Sequence, residues 1–280
     1  MRAQGDVGFS QFLLRIGNGE QPTHENGLID IPETVLIQLN DGENPESRII
    51  KSIYADLNEK GQCSKYITER AILATRNECV DMLNGKLISI FPGVEHRYTS
   101  FDKPSDKTNN FYPEEFLNSL TPNGMPPHEL ILKENSPIML LRNLSPSEGL
   151  CNGTRMVCKG FKRNIILAEI TVGRYAGRQV FLHKIPIYHP KNECSPFQFT
   201  RMQFPIRLCF TMIINKAQGQ TIPNVGIYLP SNVFSHGQLY VALSRGTSME
   251  TTKVLLLKKK KSNLNATQTK NIVYKEVLTS

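Results

Sequence analysis

The fold of this chain is most constrained by residues 207–245, where two apolar segments flank a polar loop. Residues 208–214 form an apolar run whose length and β-branched content predict a strand buried on both faces. The polar loop at residues 215–221 follows, and residues 225–229 predict a second short strand. An open α/β sheet presents polar groups at its edge in this way, so we predict an α/β fold.

A helix is predicted over residues 235–245, with Ser235 as its N-cap and Arg245 in its last turn. A glycine in the preceding loop can serve turn geometry alone, and an arginine near a helix C-terminus can serve the helix dipole alone. The occurrence of both features, a glycine-containing polar loop and an arginine at the end of the next helix, instead indicates a functional site.

The net charge favours a polyanionic partner. Lys plus Arg number 33 against 25 Asp plus Glu, which gives a formal net charge of +8 and a pI of about 9.2. This excess of positive charge indicates nucleic acid as the first candidate partner and an anionic membrane surface as the second. No apolar run approaches the ~18 residues of a membrane span, and the first residues lack the apolar core of a signal peptide. We therefore expect a soluble intracellular protein.

The six cysteines are scattered along the chain, with no C-x-x-C pair and no histidine at zinc-finger spacing. This pattern favours free thiols in a reducing compartment over disulfides or a metal site.

A second polar segment follows a buried strand earlier in the chain. Residues 71–74 predict the strand, and residues 78–84 predict an amphipathic helix. Thr75, Arg76 and Asn77 lie between them, at the kind of position where open α/β sheets bind ligands. A simple N-cap role for Asn77 is the alternative.

The spacing of apolar residues changes in the middle of the chain. A connector rich in Pro, Asn, Asp, Ser and Lys at residues 100–128 precedes short apolar segments separated by turn signals such as Asn152-Gly153. Even spacing of short strands without a helical pattern predicts a small antiparallel barrel inserted into the α/β domain. These segments are residues 130–132, 137–141, 154–158, 165–170 and 180–185.

Two motifs carry a resemblance to a known family. The sequences F-T-M-I-I-N-K-A-Q-G-Q-T at residues 210–221 and G-Q-L-Y-V-A-L-S-R at 237–245 closely resemble the last two motifs of superfamily 1 DNA helicases of the PIF1 type, and are most like the eukaryotic and Helitron forms. M-R-A at residues 1–3 resembles the end of the N-M-R-A motif that begins their second motor domain. F-L-N at 116–118 through R-N-L at 142–144, with C-N-G-T-R at 151–155, resembles the family's 2B insertion.

The resemblance implies a RecA-like P-loop NTPase fold with an inserted SH3-like β-barrel. The RecA-like 2A domain would cover residues 1–112 and 201–257, the 2B domain residues 113–200, and a basic, flexible tail residues 258–280. In this family the first RecA-like domain supplies a G-x-x-x-x-G-K-[ST] loop for phosphates and an Asp-Glu pair for Mg²⁺. The sequence contains neither, because its one Gly-Lys, Gly85-Lys86, lacks the required glycine spacing and no Asp is directly followed by a Glu.

The same resemblance assigns roles to single residues. Arg245 would be the arginine finger that stabilises charge on the γ-phosphate, and Arg2 a second γ-phosphate contact. Gln218 and Gly219 would link the nucleotide cleft to the DNA track, with Gln238 also on the nucleotide side. The residues expected along the single-stranded DNA backbone are Asn215, Lys216, Thr221, His236, Thr75, Arg76 and Asn77.

The implied function is a 5′ to 3′ ATP-dependent DNA helicase acting in repair, recombination and telomere maintenance. It would use ATP and Mg²⁺ in the complete enzyme, with the first RecA-like domain supplied in cis or in trans, no membrane association, and a nuclear or alternatively mitochondrial location. We expect the chain alone not to hydrolyse ATP. The alternative is a non-catalytic module that binds single-stranded nucleic acid, a remnant of a transposon helicase.

Overall fold

The computed structural model describes residues 3, 5–24, 27–104, 113–189, 198–257 and 267–277. The chain divides into two compact units. The first unit comprises residues 1–57, 65–89 and 210–280, and the second comprises residues 58–64 and 90–209. The helices are α1 Val7–Asn18, α2 Pro45–Ile53, α3 Leu57–Lys60, α4 Ser64–Thr68, α5 Asn77–Ile90, α6 Glu114–Ser119 and α7 Gln238–Leu243.

The strands alternate with these helices in the first unit and follow one another in the second. They are β1 Leu28–Asp30, β2 Arg70–Ala74, β3 His96–Thr99, β4 Phe101–Pro104, β5 Glu129–Leu132, β6 Pro137–Leu140, β7 Arg155–Phe161, β8 Ile165–Ile170, β9 Gln179–His183, β10 Ile185–His189, β11 Phe199–Gln203, β12 Ile206–Leu208, β13 Thr211–Ile213, β14 Asn224–Leu229, β15 Thr252–Leu256 and β16 Gln268–Lys270.

A parallel sheet of four strands, in the order β13-β2-β14-β15, forms the centre of the first unit. Ala71, Ile72 and Leu73 of β2 are fully buried, as expected for a strand covered on both faces. The predicted α/β fold is therefore confirmed for this unit. Since all four strands run in the same direction, their carboxyl ends lie at one edge of the sheet.

Helix α1 shows why the local sequence folds as it does. Asp6 caps its N-terminus by accepting a hydrogen bond from the backbone N–H of Phe9 at 2.9 Å. Gly19 ends it in the left-handed conformation with φ 69°. Its buried face consists of Phe9, Phe12, Leu13 and Ile16.

The apolar run at residues 208–214 is not one strand, which corrects the prediction. Its start belongs to β12, which pairs antiparallel with β6 in the second unit, and its end forms β13, which pairs parallel with β2 in the first. The chain passes between units at Cys209 and Phe210. Apolar content alone cannot reveal this boundary, because both halves of the run are buried within their own units.

The edge strand β13 receives a side-chain partner from α5. The side-chain amide of Asn84 donates to the backbone oxygen of Thr211 at 3.0 Å, and its oxygen accepts from the Thr211 N–H at 2.9 Å. Asn84 is buried, so these bonds replace those that water would make to the amide. They satisfy part of the backbone that an edge strand would leave unpaired.

The C-terminal segment is a second correction. Residues 267–277 are not a free tail, because β16 pairs antiparallel with β1 of the first unit. The side chain of Asn271 donates to the backbone oxygen of Ile16 at 2.9 Å, which fastens the segment to α1. The four lysines at residues 258–261 lie outside the described residues.

The second unit is antiparallel. Its largest sheet has five strands in the order β12-β6-β7-β8-β9 and carries a core that includes Ile138, Met156 and Leu182. The predicted run of short strands is confirmed, but the hydrogen bonds among the described residues leave this sheet open rather than closed into a barrel. Two smaller sheets, β10-β11-β4 and β3-β5, complete the unit.

A buried ion pair organises the β10-β11-β4 sheet. The Arg201 Nη2 lies 2.6 Å from the Asp102 Oδ2, and both side chains are fully buried. The Arg201 Nε also donates to the Asp102 carboxylate at 3.0 Å. Its Nη1 and Nη2 donate to backbone oxygens at 2.9–3.1 Å, those of Leu117, Leu120 and Pro126. Strand β11 is thereby tied to α6 and to the loop that follows it.

The second unit begins earlier and ends later than the predicted insertion at residues 113–200. Strand β3 pairs with β5, and β4 pairs with β11, so residues 90–104 pack with the antiparallel strands. Residues 201–209 do the same through β11 and β12.

Five cysteines are described, and all are free thiols: Cys63, Cys79, Cys151, Cys158 and Cys209. Burial raises the pKa of the Cys158 thiol to about 12. Across the described ranges, no helix combines the length and hydrophobicity needed to cross a membrane.

Candidate functional site

The carboxyl edge of the parallel sheet gathers most of the residues that the sequence singled out. Thr75, Arg76 and Asn77 follow β2, and the loop of residues 214–221 follows β13. Because β2 and β13 are neighbours and parallel, the two segments lie side by side at this edge. Parallel sheets bind ligands at this edge.

The segment after β2 offers one buried and one exposed polar group. Thr75 is 3% exposed, and within the described residues its hydroxyl has no hydrogen-bond partner. Arg76 is exposed, and Asn77 is the first residue of α5. Arg76 directly precedes the N-terminus of α5, and both a guanidinium and a helix N-terminus attract anions.

The segment after β13 alternates buried anchors and polar side chains. Ile214 and Ala217 are buried within a 3₁₀ turn, Ile214–Ala217. Asn215, Gln218 and Thr221 are exposed, and Lys216 is half-buried. Two apolar anchors therefore hold a loop whose polar groups face solvent.

Gly219 turns the chain within this loop. Its φ is 86°, in the left-handed region that favours glycine, and a Cβ there would meet no atom within 4 Å. The backbone conformation, rather than lack of space, explains the glycine.

Arg245 ties helix α7 to this loop. Its guanidinium donates to the backbone oxygens of Ala217 and Gln220 at 3.4 and 3.1 Å, and its Nε donates to the Val241 oxygen at 2.8 Å. A further bond at 2.8 Å reaches the Ser244 hydroxyl. Arg245 is 5% exposed, so these bonds form away from water. In this structure the predicted arginine finger therefore holds the residues on either side of Gln218 and Gly219.

Helix α7 begins later than predicted. Gly237, with φ 66°, is its N-cap and supplies no side-chain bond, whereas Ser235 lies outside the helix. A left-handed residue at this position interrupts the helical hydrogen bonds, which is why the Ser235 cap prediction is wrong.

Gln238 and His236 flank this start. Gln238 is 2% exposed; its side-chain oxygen accepts from the Phe234 N–H at 3.0 Å, while its Nε2 has no partner among the described residues. His236 is exposed, and its Nδ1 accepts from the Tyr274 N–H at 3.0 Å. The two rings stack, with centroids 5.3 Å apart and planes 11° apart.

Sequence reasoning missed Tyr274, because it treated residues 258–280 as a tail. The signal was present in Ile272-Val273-Tyr274, an apolar run inside an otherwise polar segment. The Gly237 N–H donates to the Ile272 oxygen at 2.9 Å, so this run holds the start of α7. Arg2, predicted to contact the γ-phosphate, lies outside the described residues.

The donor set at this edge does not fit a divalent cation. Throughout the described parts of the chain, no group of three or more His, Cys, Asp or Glu could hold a metal ion. The edge instead offers amide, hydroxyl, ammonium and guanidinium groups, which suit phosphate oxygens rather than Mg²⁺.

Comparison with known proteins gives matches of three kinds. The family described as "DNA helicase Pif1, 2B domain" matches residues 115–161. The human ATP-dependent DNA helicase PIF1 is 33% identical over 189 residues, which is 65% of this chain and 26% of that relative. The chain thus spans about a quarter of the length of this curated relative.

Solved structures share the fold. Pif1 helicase from Candida albicans has a TM-score of 0.59 at 20% identity, covering 100% of this chain and 58% of that one. Pif1 helicase from Bacteroides, in a complex with ADP-AlF3 and single-stranded DNA, has a TM-score of 0.57 at 20% identity, covering 100% of this chain and 53% of that one. At this identity the likeness shows a common mixed α/β fold.

Proposed function

We propose that this chain, which belongs to the Pif1 family of DNA helicases, forms the DNA-gripping part of an ATP-dependent 5′ to 3′ helicase. The first unit would be the RecA-like 2A domain, and the second would be the 2B domain with an SH3-like arrangement. The observation that carries this proposal is the meeting of the 75–77 and 214–221 segments at one sheet edge, with Arg245 bonded to the second.

Single-stranded DNA would lie along this edge of the sheet, with its phosphates contacting the protein. Asn215, Lys216 and Thr221 present polar or charged groups on the loop, and Arg76 presents a guanidinium beside the N-terminus of α5. Contacts to phosphates carry no sequence information, which suits a protein that must move along any strand.

Arg245 would couple the nucleotide to this loop. Its bonds to Ala217 and Gln220 bracket Gln218 and Gly219, so any displacement of the guanidinium changes the support of the loop. For Arg245 to contact a γ-phosphate, its guanidinium would therefore have to exchange some of these hydrogen bonds for bonds to the phosphate. We propose that this exchange transmits the nucleotide state to the DNA contacts.

ATP and its metal would be held with groups from outside this chain. The sequence contains no G-x-x-x-x-G-K-[ST] loop, and the edge does not fit Mg²⁺. We propose that a first RecA-like domain, in cis or in trans, supplies both. The process served would be DNA repair, recombination or telomere maintenance, in the nucleus or alternatively the mitochondrion.

The absence of that loop from the sequence favours a second candidate, a non-catalytic module that binds single-stranded nucleic acid. Both candidates require DNA binding at the sheet edge. They differ in ATP hydrolysis when a first RecA-like domain is added.

DNA binding is tested by fluorescence anisotropy with labelled oligothymidylate over a range of salt concentrations. We expect salt-sensitive binding that Lys216→Ala weakens, with the slope of log affinity against log salt smaller by about 0.7. Lys65→Ala is the matched control, because Lys65 is an 82% exposed lysine on α4, outside the loop. Wild-type affinity in Lys216→Ala would remove the loop from the DNA site, and lack of binding by the wild-type chain would end both candidates.

A further inference from the structure

The sheet β10-β11-β4 in the second unit has an outer face that nothing in the proposed helicase site explains. Its strand pairing places Phe101 opposite Met202, while Tyr188 and Lys103 lie opposite Thr200 on either side. Alternation along each strand puts these residues on one side and the buried Asp102 and Arg201 on the other.

Apolar side chains are exposed on this outer face. Phe101 is 52% exposed, Tyr188 53% and Met202 37%. Side chains of this size are normally covered, and clustered exposure on a sheet marks a binding surface. The two rings stand on the outer strands, two strand spacings and a two-residue offset apart, which corresponds to about 12 Å between their Cα positions.

The charges on this face are positive. Lys103 is exposed, and its Nζ lies 5.0 Å from the centroid of the Phe101 ring. Lys184, just before β10, donates to the backbone oxygen of Thr99 at 2.7 Å. The only carboxylate on β4, β10 and β11 is Asp102, which lies on the opposite face and is bonded to Arg201.

We infer that the outer face of the β10-β11-β4 sheet is a second single-strand contact, where Phe101 and Tyr188 stack on bases and Lys103 meets the phosphate backbone. Exposed aromatic rings on a sheet, with lysines beside them, are how many proteins bind single-stranded nucleic acid without regard to sequence. The inference rests on the proposed function only in taking single-stranded DNA as the ligand. Its residues lie in the second unit, whereas those of the sheet edge lie in the first.

A fluorescent reporter can be placed directly on this face. The chain contains no tryptophan, so Phe101→Trp introduces a single indole. We expect its emission to be quenched in a saturable manner by oligothymidylate, because stacking brings the base onto the ring. Phe181→Trp is the control, since Phe181 is 65% exposed on β9, in another sheet of the same unit. Equal quenching of both indoles, or none at position 101 while the oligonucleotide binds, would overturn the inference.

Affinity measurements separate this face from the sheet edge. The double variant Phe101→Ala, Tyr188→Ala should bind oligothymidylate at least about tenfold more weakly with an unchanged salt slope, because stacking is not ionic. Lys103→Ala should instead reduce the slope by about 0.7. Phe101→Tyr keeps a ring and should bind like the wild-type chain.

The outcomes distinguish the two proposals. Loss of binding only in Lys216→Ala would leave the sheet edge as the DNA site and reject the outer face. Loss of binding only in the double variant Phe101→Ala, Tyr188→Ala would support the outer face as the DNA site and reject the sheet edge. A shift of the indole emission with protein concentration in the absence of DNA would identify the face as a self-association surface and reject the inference. Thermal melting checks that the variants fold. Because the Phe101 and Tyr188 rings are more than half exposed, their replacement should leave the melting temperature unchanged.

Discussion

At the residue scale, Arg245 has a structural task that can be measured apart from catalysis. Its planar guanidinium bonds to Ala217, Gln220 and Val241 together, and a single ammonium group cannot reproduce that geometry. We predict that Arg245→Lys loses about 2 kcal/mol of unfolding free energy and speeds amide hydrogen exchange at residues 218–221. Urea denaturation and hydrogen-exchange mass spectrometry measure the two effects.

The matched control is Arg174→Lys, because Arg174 is an exposed arginine in the second unit. It should leave both stability and exchange unchanged. If Arg245→Lys also left them unchanged, the guanidinium bonds would not support the loop, and a role for Arg245 at the nucleotide alone would be favoured.

Single residues also show how far sequence reasoning can reach. The spacing of Arg245 from the polar loop was enough to single it out as a candidate site residue. Its partners could not be predicted, since backbone oxygens carry no signature in the sequence. The pair Asp102–Arg201 left no signal either, because its members are 99 positions apart and each resembles an ordinary charged residue in a polar strand. Only pairing of β4 with β11 places them together.

At the element scale, hydrophobic pattern predicted the elements that carry a strong apolar signal of their own. Helix α1 was found because its buried residues recur at helical spacing, and strands β2 and β14 were found because each is a short continuous apolar run. The run at 208–214 was misread because its pattern is the same whether it forms one strand or the ends of two. Helix α7 was predicted too long because Gly237 was taken as helical instead of left-handed.

The C-terminal strand β16 supports the site from outside the motifs. It pairs with β1, and the residues after it bond to Gly237 and stack on His236. We predict that a stop after residue 266 lowers the melting temperature by about 4–8 °C, as loss of about 2 kcal/mol would do in a domain of this size. Differential scanning calorimetry measures the shift, and hydrogen exchange at residues 233–238 should rise at the same time.

A stop after residue 277 is the matched control, because it keeps β16 and Tyr274 and removes only residues 278–280. It should melt like the full chain. Equal melting of both truncated chains would show that the residues after 266 contribute nothing to the first unit, as a flexible tail would.

At the scale of the whole molecule, the sequence pattern indicated an antiparallel segment in the middle of the chain but not the limits of the unit that contains it. Even spacing of short strands marked the antiparallel unit, but the connector composition of residues 100–128 hid β4, which pairs with β11 in that unit. Strand pairing over long sequence separations decides which unit a segment joins, and one chain's sequence does not display that pairing. The net charge of +8 favoured a polyanionic partner but did not indicate where on the chain it would bind.

ATP hydrolysis by the whole chain distinguishes the two candidate functions, a part of a helicase and a non-catalytic binding module. Alone, with single-stranded DNA and ATP, we predict no turnover in a steady-state ATPase assay, because the sequence supplies no phosphate loop. Addition of a separately produced first RecA-like domain from a Pif1 relative should restore DNA-dependent turnover. Arg245→Ala should then reduce it on the order of 10³-fold, whereas Arg174→Ala should not. Turnover by the chain alone would contradict the prediction, and DNA binding without restored turnover would favour the binding module.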